Sequence, residues 1–258
     1  MSRLIKRLNQ VAQDAPRPIG FKAAQTVSLK PRIQLIASVA QADADNLADI
    51  LAGADAGLLR ISSPDSGSKA LKKMCEIASD IPCGGWLSGA SGKKEVEQIV
   101  KAGGDFVVIP AADTSMSVLE DNDIGKILEV GTSLSNGLLR TINEVSVDAV
   151  LAPGEAERGH SLTCHHVIVF QHLADLLDKP LLVTVPSNIT ASELQALWEA
   201  GVSGAVIEVG IGEPAEGLAT LRKEIDRLTF APRRKLRKAM AELPYISREA
   251  DTIPEEEE

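Results

Sequence analysis

Three charged residues interrupt apolar runs of this sequence, and they are the first candidates for chemistry. Arg60 lies in GLLRI (57–61), Glu129 in KILEV (126–130) and Glu208 in AVIEV (205–209). A carboxylate in such surroundings has its pKa raised by desolvation, which suits proton transfer near neutral pH. Glu129 and Glu208 are therefore acid/base candidates, and Arg60 is the candidate anchor for an anion. A plainer reading stands beside this one. Arg60 and Glu208 could form a structural ion pair, and a buried pair is weak evidence of stability because desolvation offsets much of the attraction.

The histidines add one more candidate. All four fall between His160 and His172. His160 sits in a predicted loop near Glu155 and Glu157, and is the third catalytic candidate. His165, His166 and His172 lie on the helix predicted next. His165 and His172 are too far apart for the i, i+4 geometry of a two-histidine ligand pair, and no HExxH or CxxC accompanies them, so no metal site is expected.

The elements that must position these residues repeat one grammar of strand, loop and helix. Predicted strands are 33–40, 57–61, 84–87, 106–110, 126–130, 148–152, 181–185 and 205–209, with helical patterns between them and a last one over 215–228. AGADAGLLRIS from Ala52, AGGDFVVIPA from Ala102, EVSVDAVLAPG from Glu144 and AGVSGAVIEVG from Ala200 form an internal repeat spaced by about fifty residues, or two strand–helix units. Asp55, Asp105 and Asp148 precede strands in three of the four and read as structural turn residues. The expected fold is an α/β (βα)8 TIM barrel over 31–228. It is preceded by an amphipathic leader helix and linker (1–30) and followed by a charged tail (229–258). The leader places Leu4, Ile5, Leu8 and Val11 on one face. That face could plug the barrel floor, dock on a partner subunit or lie on a membrane surface.

Aligning the repeats places Arg60, Pro110, Pro153 and Glu208 at one position near the exit of the even strands. The odd strands offer Leu35, Trp86, Glu129 and Thr184. Active sites of such barrels lie at the carboxyl ends of the strands. Trp86 and Thr184 thus join Arg60 as substrate-binding candidates. So do Asn188, in a loop that opens a well-capped helix, and Gly210 and Gly212 in the last strand's glycine-bearing loop.

Composition bounds the partners. The formal net charge is −9 and aromatics are 3% of the chain, which argues against nucleic acid, whose binders need clustered cations and stacking rings. Three cysteines in no paired pattern suggest a reducing compartment. There is no apolar run long enough to span a bilayer and no signal-peptide pattern at the start, so a cytoplasmic location is expected. A small molecule is the expected ligand, and homo-oligomerisation is left open.

The motifs AGADAGLLRI, KAGGDFVVIP and EAGVSGAVIEVG resemble the strand-entry motifs of the phosphate-binding (βα)8 barrels, a superfamily that includes thiamine-phosphate synthase, tryptophan-pathway barrels and some flavin-linked oxidoreductases. The resemblance covers about residues 31–228. It implies a phosphate held by the loops after strands seven and eight, here Ser187–Thr190 and Gly210–Gly212. The family's last strand ends on a glycine whose N–H meets the phosphate, and here that place is Glu208. Loop seven lacks the usual double glycine, and Glu213 adds negative charge. The function expected from the sequence is lyase or isomerase chemistry on a small polar or phosphorylated metabolite. A non-catalytic scaffold barrel is the alternative. A flavin-dependent oxidoreductase is a further one, for which FMN would be the cofactor; the residues themselves require none.

Overall fold

In a computed structural model of the chain, residues 2–12, 32–40, 47–89, 91–120, 123–154, 162–209 and 216–227 are described. Helix α1 (Arg3–Ala12) is followed by β1 (Gln34–Val39), α2 (Leu47–Leu51), β2 (Ala56–Ile61), α3 (Pro64–Ile77), β3 (Cys83–Leu87), α4 (Lys93–Lys101), β4 (Phe106–Pro110), β5 (Gly125–Glu129), α5 (Asn136–Ile142), β6 (Ala149–Ala152), α6 (Cys164–Leu176), β7 (Leu181–Val185), α7 (Ala191–Glu199), β8 (Gly204–Val209) and α8 (Glu216–Arg227). The eight strands pair in parallel and in sequence order, and β8 closes onto β1. This is a TIM barrel with an N-terminal helix. The charged tail expected over 229–258 lies outside the described residues.

One connection differs from expectation. Between β4 and β5 the chain forms a 3-10 turn, Met116–Glu120, where an α-helix is expected. The turn is as long as the α-helix α2, so its length alone does not set its form. The turn is held from outside instead: the Lys126 ammonium donates to Leu119 O (2.7 Å).

The repeat has a geometric cause. Gly53, Gly103 and Gly201 take positive φ (89°, 88° and 96°) just past the ends of α2, α4 and α7, where a residue without Cβ ends a helix at least cost. After α4 and α7 the backbone turns back on itself, with Gly104 N–H reaching Ile99 O (2.9 Å) and Val202 N–H reaching Leu197 O (3.0 Å). Each turn delivers the chain into the next parallel strand.

Alternation along the strands divides the core in two. One set, including Leu59, Val107, Val183 and Ile207, packs under the surrounding helices. The other, including Ile36, Leu58, Trp86, Phe106, Val108, Ile127, Leu151, Leu182 and Val206, fills the barrel interior. Leu4, Ile5 and Leu8 of α1 belong to this inner set. Of the three roles open to the leader helix, the structure shows the first: α1 plugs the barrel floor.

Strand-entry aspartates fix that floor. The Asp105 carboxylate accepts hydrogen bonds from Ser2 Oγ (2.6 Å), Arg3 N (2.8 Å) and Leu4 N (3.0 Å). It caps a helix about a hundred residues away in sequence, where exposed N–H groups and the helix dipole favour an anion. Asp55 accepts from Leu35 N (2.8 Å) and Asp148 from Lys126 N (2.8 Å), each tying one strand's entry to the adjacent preceding strand. Asp55 also pairs with Arg222 of α8, and both side chains are only 10% exposed. Burial pushes the Arg222 pKa down, and the Asp55 charge opposes that shift. Gly125 opens β5 beneath α1. A Cβ there would lie 2.7 Å from both Ile5 Cγ1 and Ser2 Cβ, so only glycine lets the helix seat this closely.

Candidate functional site at the barrel mouth

Strand alternation brings the predicted charged residues to one end of the barrel. Leu58 and Val206 face the interior, so Arg60 and Glu208, two residues further on, face the mouth side of the same lumen. Ile127 likewise sets Glu129, and Leu182 sets Thr184. Trp86 is itself an interior residue.

These side chains form a connected series along the rim from β8 to β5. The Arg60 guanidinium pairs with the Glu208 carboxylate across β1. Ser38, small and buried on the intervening strand in register with Glu208, leaves room for that bridge. Arg60 Cζ also lies 4.2 Å from the centroid of the Trp86 ring, a cation–π contact. The Trp86 indole N–H then donates to Glu129 Oε2 (2.8 Å) across β4. Pro110 stands in register with Glu129 on β4 and offers no polar side chain to compete for it. Two carboxylates, one cation and an indole are thus joined through named contacts.

Exposure separates this series from the ion pair at the floor. Arg60 and Glu208 side chains are 40% and 42% exposed, against 10% and 10% for Arg222 and Asp55. An exposed pair contributes about 0–1 kcal/mol. Removing one partner of a buried pair costs about 3–5 kcal/mol. The floor pair holds β2 to α8. The rim pair supplies little of the barrel's stability, and its groups remain open to solvent.

The remaining stretch of the rim, at β6 and β7, is built around Thr184. Its buried hydroxyl accepts from Gly154 N (2.6 Å), fastening the chain after β6 onto β7. A Cβ on Gly154 would sit 2.4 Å from Thr184 O, so this approach requires glycine. Thr184 therefore positions a loop, and its oxygen is engaged by backbone.

The loop after β7 is also self-satisfied. Thr190 caps α7, accepting from Glu193 N (3.3 Å), while Glu193 Oε2 accepts from Thr190 N (2.8 Å). The Glu193 carboxylate occupies the place at the helix N-terminus where an anion would be favoured. Asn188 is exposed two residues before the cap. His160, Gly210 and Gly212 lie outside the described residues, as do Glu155, Glu157 and Glu213.

Leu35 is a correction. It packs under the helices, and Ile36 and Ser38 are the residues of β1 on the inward side. His166 and His172 take structural places. His166 Nδ1 accepts from Thr163 N (3.1 Å) and closes the cap of α6, and His172 Nε2 meets Asn136 Oδ1 of α5 at 3.0 Å. Among the described residues, no group of three or more His, Cys, Asp or Glu could hold a metal ion. No described helix is long and apolar enough to cross a membrane.

No protein-family model and no curated protein matches this chain. Solved structures do. Thiamine phosphate pyrophosphorylase from Pyrococcus furiosus superposes with a TM-score of 0.56 at 12% identity, covering 75% of this chain and 96% of that one. Orotidine 5'-phosphate decarboxylase from Pyrococcus horikoshii gives 0.57 at 14%, covering 74% and 100%. Tryptophan synthase from Mycobacterium tuberculosis gives 0.57 at 13%, covering 78% and 93%. The likeness is one of fold. All three are enzymes by name.

Proposed function

We propose that this barrel is an enzyme that binds a small polar or phosphorylated metabolite at its mouth and moves a proton with a carboxylate, as a lyase or isomerase does. The observation that carries this reading is the series Glu208–Arg60–Trp86–Glu129, connected at the mouth of the barrel, with its Arg60–Glu208 pair exposed where a stabilising pair would be buried. Glu208 is held by Arg60, which orients its carboxylate as a base. Arg60 is the one cation of the series and would also meet a ligand's phosphate or carboxylate. Such a ligand competes with Glu208 for the guanidinium and frees that carboxylate as it binds. Glu129, fixed by the Trp86 indole, supplies a second proton-transfer group across the rim. Asn188, Gly210, Gly212 and His160 are candidates to complete the site from the loops after β7, β8 and β6. The names of the thiamine phosphate and orotidine phosphate enzymes support a phosphate-bearing ligand. The two glutamates, set against one arginine, favour a ligand whose own charge is small.

Proton transfer is testable without knowing the product. The protein is incubated in D2O with pools of small phosphorylated and hydroxylated metabolites, and loss of C–H signals is followed by NMR. Exchange into at least one metabolite is expected with the wild type, and it falls at least tenfold in Glu208→Gln or Glu129→Gln, the scale of a lost acid/base group. Exchange that persists unchanged in both variants removes these residues from the mechanism.

A further inference from the structure

The two carboxylates of the mouth are held in different ways. Glu208 is paired with a cation, Arg60. Glu129 is half-buried, and the hydrogen-bond partner of its side chain among the described residues is neutral: the Trp86 indole N–H donates to Oε2 (2.8 Å). Arg60, the cation of the series, lies over the face of the Trp86 ring and reaches Glu208 on the other side. One guanidinium therefore serves two carboxylates, and Glu129 is the one left without a cation among the described residues. A partly buried carboxylate held by a single neutral donor has lost water without gaining an opposite charge.

Resting on the reading of this mouth as a ligand site, we propose that the ligand is a small zwitterion of the amino-acid type, whose carboxylate takes Arg60 from Glu208 and whose ammonium is held by Glu129. The charges then match. A ligand carboxylate on the guanidinium releases Glu208, and an anion without an amine would sit beside two unpaired glutamates of its own sign. An ammonium on the same molecule is opposed by Glu129. Glu208 alone is left free, as a base must be. A dianionic phosphate without an amine adds negative charge to a mouth that already has an excess of it.

The partners on each side narrow the class further. At the N-terminus of α7 the place of an anion is filled by the Glu193 carboxylate, so the series offers the ligand's anion a guanidinium, whose planar fork matches a carboxylate. Trp86 is the one aromatic ring of the series and its face is taken by Arg60. The series thus lacks the aromatic cage that holds a quaternary ammonium. A primary amine, which donates hydrogen bonds to a carboxylate, fits Glu129 instead. The contacts that bracket Trp86, 4.2 Å on its face and 2.8 Å at its N–H edge, set the guanidinium and the Glu129 carboxylate on two sides of one indole. A short amino acid spans that separation.

The test is ligand-observed saturation-transfer NMR on the full chain, with titrations of any probe that responds. The probes are L-serine, β-alanine and γ-aminobutyrate. Each is set beside the acid that lacks its amine (β-hydroxypropionate, propionate, butyrate) and the amine that lacks its acid (ethanolamine, ethylamine, propylamine). Glycerol phosphate is the dianion. At least one amino acid is expected to bind at least about tenfold more tightly than either of its halves and than glycerol phosphate. Glu129→Gln should weaken that amino acid about tenfold without weakening the matched acid, because removing a negative charge from the mouth favours an anion. A matched acid or glycerol phosphate that binds as tightly as every amino acid overturns the proposal. So does a Glu129→Gln protein, melting as the wild type does, that binds the amino acid unchanged or loses it and the matched acid alike. If such an anion responds and is lost in Arg60→Met, the zwitterion falls while the mouth stands as a binding site. Silence from every probe overturns the zwitterion, and the mouth falls with it when phosphorylated and hydroxylated metabolites are silent too. The wild-type comparison needs no variant and decides the case even if Glu129→Gln fails to fold.

Discussion

Asp105→Ala tests how the barrel floor is held. The Asp105 carboxylate accepts from Ser2 Oγ, Arg3 N and Leu4 N, and its side chain is 13% exposed, so water does little of its work. A hydrogen bond to a charged group contributes about 1.5–3 kcal/mol. The interaction of a charge with a helix N-terminus adds about 0.3–1 kcal/mol. These contributions overlap, and the exposed Arg3 N–H regains water when the carboxylate is removed. The expected loss is therefore about 2–4 kcal/mol, less than the simple sum. The helix should stay docked, because releasing it would expose Leu4, Ile5, Leu8 and Val11, each contributing about 1.5–3 kcal/mol by burial. Urea denaturation followed by circular dichroism gives the stability change, and hydrogen exchange localises it to the amides of α1. Asp105→Asn keeps one acceptor oxygen and should lose about half as much. A stability within about 0.5 kcal/mol of wild type in Asp105→Ala, with unchanged exchange in α1, would refute the capping role.

Other predictions follow from single contacts. Gly125→Ala forces a methyl against Ile5 and Ser2 and should cost about 1–3 kcal/mol, with faster exchange across α1 in hydrogen-exchange measurements. Thr184→Val leaves Gly154 N–H without its acceptor and should cost about 1–3 kcal/mol by urea titration; no loss would mean the loop after β6 is held by other contacts. Arg222→Met should lose about 3–5 kcal/mol and Arg60→Met under about 1 kcal/mol, compared in the same denaturation series. Equal losses would mean that the rim pair is structural after all.

Much of the barrel is visible in the sequence because parallel strands buried on both sides read as short apolar runs, and the helices between them carry a different period. The runs at 106–110 and 181–185 coincide with β4 and β7. The convergence of Arg60, Trp86, Glu129 and Glu208 was readable because the repeat fixes which residue of each strand shares a level. Leu35 fails for a reason of the same kind. Leu35, Trp86 and Thr184 each lie four residues after Pro31, Pro82 and Pro180, but the inward residues of β1, Ile36 and Ser38, lie five and seven residues after Pro31. The parity is shifted, and a one-residue shift exchanges the faces of a strand. The contacts Asp105–α1 and Asp55–Arg222 leave no local signal, since their partners are separated by 102 and 167 residues in sequence. An amphipathic pattern shows that α1 has an apolar face and is silent on what covers it. The 3-10 turn at 116–120 is poorly marked in the sequence, and its anchoring by Lys126 depends on the folded barrel.

The central claim is that the rim series receives a ligand. Ligand-observed NMR tests it most directly, using mixtures of small phosphorylated and hydroxylated metabolites at millimolar concentration with wild type and Arg60→Met side by side. Saturation transfer to at least one metabolite from the wild type, lost in an Arg60→Met protein that melts at the same temperature, is the predicted result. No transfer to any metabolite, or equal transfer from both proteins, would contradict the assignment of the mouth as a binding site built on Arg60.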